Sequence, residues 1–177
     1  RNYAIANPGH WMGSGAAVWG LTARSRPGTV PAHSPQGVRR FSSYMARGAG
    51  LDDVTDDGTI APTAAGGSIA FAPSIVLPAL MAMKRRYGRY IYSRYGFVDA
   101  FNPSFHGTPE YGHTYPGFGW ADNQQLGIDQ GPILLMIENW RSGLVWSVMK
   151  KNPYIRRGLQ RAGFTGGWLE RAQAAPH

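Results

Sequence analysis

The stretch LGIDQGPILLMIENWRSGLVWSVMKKNPYIRRGLQRAGF, residues Leu126 to Phe164, decides how this chain is read. An acid and an amide, Asp129 and Gln130, stand at its head. Ile133, Ile137, Trp140, Leu144 and Val148 then recur at spacings of 4, 3, 4 and 4, the period of one helical stripe. Leu134, Met136, Val145 and Trp146 cover much of the remaining circumference. A helix apolar on nearly every side is expected to be enclosed by protein. Pro132 suits a first turn, where an N–H has no intrahelical partner. Asp129, just before it, complements the positive end of the helix dipole. Lys150 and Lys151 close the last turn, and Asn152-Pro153 breaks the helix. A second, basic helix is expected over Tyr154–Arg161, stopped at Gly163. The acid at the head of a buried helix, where wall meets loop, is a usual place for site chemistry.

Working outward, Phe71-Ala72-Pro73-Ser74 opens another helix, with Ser74 as its N-cap and Gly88 as its end. Its Ile75, Leu77, Leu80, Met81 and Met83 are core filler. Tyr95–Trp120 reads as a long aromatic loop, and loops of that length are usually functional. Asp99 and Asn102 lie near its start. His106, Glu110 and His113 would need a helix to meet around a metal, and Gly107, Pro109 and Gly112 oppose one. Asp52, Asp53, Asp56 and Asp57 are the only acidic cluster. It lacks the glycine and closing glutamate of a calcium loop, and reads as a turn cornered at Asp57-Gly58. No metal and no cofactor is expected.

Composition narrows the function classes. Eighteen Lys and Arg against ten Asp and Glu give a net charge of +8 across 177 residues. The cations fall mostly in Arg39-Arg40 with Arg47, in Lys84–Arg94 and in Lys150–Arg161, the last two at helix ends. That distribution reads as solvated faces rather than a nucleic-acid footprint. The absence of cysteine excludes disulfides, thiolate metal sites and a cysteine nucleophile. No apolar run is long enough to span a membrane. The 24 glycines, with six Trp, nine Tyr and seven Phe, suggest long aromatic loops on a helical scaffold. Carbohydrate clefts are commonly built so. The tail Ala172–His177 is expected to fray.

LGIDQGPILLMIEN, NPYIRRGL and RAGF resemble the C-terminal part of the glycoamylase-like family. That family includes bacterial endo-β-1,2-glucanases and the transglycosylating domain of cyclic β-1,2-glucan synthases. NPGHWMGSGAAVWGLTA (Asn7–Ala23), DDGTIAPTAAGGSIAFAP (Asp56–Pro73) and YGFVDAFNPS (Tyr95–Ser104) agree in the same order. The resemblance implies an all-α fold, the C-terminal half of an (α/α)6 toroid with long aromatic, Gly-rich loops. It implies a periplasmic or secreted bacterial glycoside hydrolase or transglycosylase acting on β-1,2-glucan or a related glucan. A non-catalytic glucan-binding half-domain is the other reading.

A toroid of six helical hairpins needs roughly 350–450 residues. Residues 1–177, opening at Arg1 with neither initiator Met nor signal peptide, are therefore expected to be a single partial domain. The N-terminal half is its expected partner and would carry at least one catalytic acid. Cleavage of a glycosidic bond needs two carboxylates. The catalytic candidates here are Asp129 and Asp99. Trp19, Thr22, Asp57, Thr59, Asn102, Trp120 and Gln130 are the candidate sugar contacts, with Trp11 a second choice of platform. Glu138 is expected to be structural, paired with Arg141. ARSRPG (Ala23–Gly28) replaces a polar or acidic loop of relatives with a basic one, which would alter the rim of the cleft.

Overall fold

The computed structural model describes residues 1–34, 37–44 and 54–170. Arg47, Asp52, Asp53 and the tail 172–177, named above, lie outside the described residues.

Helices form the scaffold, but the chain is not all-α. Among the described residues helix covers 40%, and three small antiparallel sheets lie between the helices. The elements in order are α1 (Asn2–Ala6), β1 (Pro31–Ser34), β2 (Gly37–Arg40), α2 (Pro62–Gly66) and α3 (Pro73–Ile91). There follow β3 (Tyr92–Ser93), β4 (Gly96–Phe97), β5 (Phe101–Asn102), β6 (His113–Tyr115) and β7 (Gly119–Ala121). The chain closes with α4 (Gly127–Ser142), α5 (Leu144–Lys150), α6 (Pro153–Arg161) and the 3₁₀ turn Gly167–Leu169. β1 pairs with β2, β3 with β4, and β7 lies between β5 and β6. The stretch expected to be one aromatic loop thus holds a three-stranded sheet. Its strands are only two or three residues long, too short to show alternation.

The core has two parts. One packs Val76, Leu80, Met83 and Ile91 of α3 against Ile60, Ile69, Phe97, Phe101 and Phe118. Tyr90 stacks on Phe118 at 4.3 Å between ring centroids, which locks α3 onto the sheet. The other part gathers Trp11, Phe41, Phe105 and Trp120.

Helix boundaries differ from the expectation at several points. α3 begins at Pro73 with Ala72 as N-cap, so Ser74 lies inside it, and it passes Gly88 to end at Ile91. α4 begins at Gly127, so Asp129 sits inside its first turn and Pro132 lies deeper in the helix. The expected continuous helix breaks at Gly143, whose φ of 69° turns the backbone into the left-handed region. Asn152 caps α6 by accepting the Tyr154 N–H.

The largest difference is exposure. Ile128, Leu134, Leu135 and Trp140 of α4 stand open, as do Leu144, Trp146, Val148 and Met149 of α5 and Tyr154 of α6. The composition of α4 is that of an enclosed helix, yet only Asp129 and Asn139 are fully buried in it. Glu138 lies on this open side, 3.4 Å from Arg141, rather than in an apolar interior.

Candidate active site

Three acids meet around one serine. β5 and β7 pair with Phe101 opposite Ala121, and the ladder continues where the Asp122 N–H donates to the Ala100 carbonyl at 2.9 Å. The next link is the Asp99 N–H, which donates to the Gln124 carbonyl at 2.9 Å. Asp99 and Asp122 therefore emerge side by side from the same end of the sheet. α4 brings the third acid, Asp129. α2 holds it there, since the Thr63 hydroxyl donates to the Asp129 carbonyl at 3.0 Å.

The loop after Trp19 closes the group. Gly20 lies so close to Ala61 that a Cβ would collide with the Ala61 carbonyl, and the Ala61 N–H donates to the Gly20 carbonyl. This seam carries the loop to Ser25, whose N–H donates to Asp99 Oδ2 at 2.8 Å. The Ser25 side chain also hydrogen-bonds Asp122.

The electrostatics follow from crowding. Burial pushes the Asp129 carboxyl up to about 6, helped by the negative charge of Asp99, by a hydrogen bond with Asp99 and by the charge of Asp122. Asp122 is raised mainly by burial; the N–H groups of Gln124 and Asn123 and the Ser25 hydrogen bond oppose it, and Asp99 adds to it. A first-turn position would ordinarily lower an acid. At Asp129, burial and the neighbouring carboxylates win.

Two cavities flank the acids. One, of about 470 Å³, is lined by Thr22, Ser25, Tyr44, Asp99, Ile128 and Asp129 among others. The second, of about 350 Å³, is lined by Ser25, Arg26, Ser43, Tyr44, Tyr111, Asp122 and Gln124. Both fall in the size range of small-ligand sites.

Of the residues expected from sequence, Asp99, Asp129 and Thr22 come together in the first cavity. The others sit apart from it. The Asn102 amide donates to the Asp57 carbonyl at 2.8 Å and to Thr59 Oγ1 at 3.0 Å. Its Oδ1 accepts the Ser104 N–H, so Asn102, Asp57 and Thr59 form one buried polar knot. Trp120 is fully buried and donates its indole N–H to the Tyr111 carbonyl. Gln130 donates to the Phe97 carbonyl at 2.6 Å, lying over Gly96, where a Cβ would collide with the Gln130 amide. Trp19 packs against the core, and Trp11 is buried with the Arg39 guanidinium over its ring at 4.2 Å.

The two arginines expected at the rim turn inward. Arg24 and Arg26 are both buried. Arg24 Nη1 donates to the Thr22 carbonyl at 2.9 Å. Arg26 Nη1 lies 3.5 Å from Asp57 Oδ2, and its Nη2 donates to the Thr55 carbonyl. The loop is basic in sequence but presents Ser25, between them, to the acids.

Asp122, Ser25 and Tyr44 were not singled out from sequence. For Asp122 the signal exists but needs the strand register, because only the pairing of Phe101 with Ala121 sets Asp122 beside Asp99. Among the described residues no group of acids and histidines has the arrangement of a metal site.

The Glycoamylase family profile, described as "Putative glucoamylase", matches residues 1–153. The chain belongs to this family. It is 30% identical over 161 residues to an exo β-1,2-glucooligosaccharide sophorohydrolase (non-reducing end) of Parabacteroides distasonis, covering 91% of this chain and 18% of that protein. Among solved structures, a "putative glucoamylase" from Bacteroides uniformis superposes with a TM-score of 0.70 at 36% identity, over 96% of this chain and 34% of the other. An endo-β-1,2-glucanase from Chitinophaga pinensis, solved with sophorotriose and glucose, gives 0.69 at 33% identity, over 95% and 33%. The chain thus spans between about a fifth and a third of these relatives.

Proposed function

We propose that this chain forms one wall of the cleft of a glycoside hydrolase or transglycosylase acting on β-1,2-glucan. One observation carries the proposal: Asp99, Asp122 and Asp129 converge around Ser25, between two cavities, in a family whose relatives include β-1,2-glucan hydrolases. Cleaving a glycosidic bond needs a carboxylic acid that still holds its proton near neutral pH. Asp129, pushed up to about 6, suits that role. Burial keeps the proton there, helped by the charge of Asp99 and by its hydrogen bond with Asp129. Thr22, on the same cavity, is placed to meet a sugar hydroxyl. Asn102, Asp57, Thr59, Trp120, Gln130 and Trp19 support the wall from behind.

Residues 1–177 are, in this reading, part of one (α/α)6 domain in a periplasmic or secreted bacterial protein. The open apolar faces of α4 and α5 support this. So does a groove of about 370 Å³ along α4, lined by Tyr95, Ile133, Leu134 and Ile137. The remaining helices of the domain would cover both, and would bring the opposing catalytic acid. No helix among the described residues is long and apolar enough to cross a membrane. The test is incubation of the full-length protein with linear β-1,2-glucan. Shorter or transferred products are expected. Unchanged polymer would contradict the proposal, and tight binding without turnover would reduce the protein to a glucan-binding module.

A further inference from the structure

Tyr44 is 69% exposed, yet it borders both cavities. Among the described residues lining them, only Ser25 shares that position. Ser25 faces the acids from within, and Tyr44 stands on the open side.

The backbone before Tyr44 is anchored. Phe41 is buried, with its ring edge-on to Phe105 at 4.9 Å, and its N–H donates to the Val30 carbonyl. The Gly28 N–H donates to the Ser42 carbonyl at 3.2 Å, and the Ser43 N–H to Thr29 Oγ1 at 3.2 Å. These bonds bind the segment to the loop that carries Ser25. Glu110 ties in a second aromatic. Its N–H donates to the Pro27 carbonyl, and its side chain accepts the Thr29 N–H. Tyr111, next in sequence, is 61% exposed and lines the second cavity.

Among the described residues, nothing buries this phenol ring, although the backbone before it is anchored. Burying such a ring against an apolar face is favourable, because it removes a large area from water at little entropic cost. The C–H face of a pyranose is such a surface. We propose that Tyr44 is a sugar-stacking residue that bridges the two cavities, so that one glucan chain runs past the acids from the Asp129 side to the Asp122 side. Tyr111 continues the path in the second cavity. The site then reads several sugar units, and affinity rises with chain length beyond what one cavity holds.

This rests on the glucan reading above, and the test separates the two. The full-length D129N protein, in which turnover is expected to be lost, is titrated calorimetrically with β-1,2-linked glucose oligomers of two and five units. Adding Tyr44→Ala is expected to weaken the pentamer about tenfold, the loss of one good aromatic contact. Most of the gain from dimer to pentamer should vanish with it. Adding Tyr44→Phe, which keeps the ring, should match D129N alone. Equal pentamer affinity with and without Tyr44→Ala would overturn this inference and leave the glucan reading intact. No binding of either oligomer by D129N would remove both. Tyr44 is exposed, so an unchanged melting temperature verifies that the variants are folded.

Discussion

Ser25 holds Asp99 through its backbone N–H, 2.8 Å from Oδ2, while its side chain bonds Asp122. A single loop residue thereby fixes two carboxylates that come from neighbouring strands. The third, Asp129, is raised by its own burial and then by their charge. That division yields measurable consequences.

Asp129 should titrate late. Its carboxyl lies near 6 in the folded chain against an ordinary 3.8. A raised acid binds more protons folded than unfolded across that window, so it destabilises the fold as pH rises from about 4 to about 6. The penalty is absent below the lower value and complete above the upper. Asp129→Asn removes the group, so its melting temperature should vary less with pH across the window than wild type. Parallel curves for the two would count against the assignment.

Asp99→Asn should shift the same titration downward. The amide oxygen can still accept the Ser25 N–H, so the loop stays in place, while the charge beside Asp129 is gone. Carbon-detected NMR of the Asp129 carboxyl should show the midpoint move toward the ordinary acid range. Burial alone would keep it somewhat high, since burial is the larger cause.

Asn102→Ala should cost stability rather than recognition. It removes donors to Asp57 and Thr59 and the acceptor for Ser104, all inside the protein. Unpaired buried polar groups cost roughly 1–3 kcal/mol each. Chemical denaturation should register a loss of about 2–4 kcal/mol, allowing for partial relaxation. Glucan affinity of the folded fraction should be little changed.

The chain on its own should be sticky. Ile128 is 79%, Leu134 69% and Leu135 54% exposed along α4. Open apolar patches of this kind bind dyes and self-associate. Leu134→Lys with Leu135→Gln should lower dye binding and raise the solubility of the isolated chain. In the full-length protein the same pair should destabilise, if helices pack there.

Much of this was legible in the residues, and the gaps have physical causes. The apolar stripe from Ile133 announced α4 with Asp129 near its head, because helix period and acid placement are local signals. The break at Gly143 was hidden by a stripe that runs through it. The short strands between Gly96 and Ala121 left no alternation to read. Asp99 and Asp122 are partners only through register, which needs the fold. Arg24 and Arg26 looked like surface charges, and only the tertiary contacts of Asp57 and Thr55 show where Arg26 goes. Exposure along α4 was misjudged for a different reason. Composition says what a helix needs to cover it, not where the cover comes from.

The central claim is that these acids do the chemistry. The most direct measurement is the initial rate of cleavage or transfer on linear β-1,2-glucan by the full-length protein, beside its folded Asp129→Asn variant. A loss of at least about a hundredfold in kcat, with KM little changed, is the expected result for removing a general acid. A folded Asp129→Asn protein that turns over glucan at the wild-type rate would contradict it.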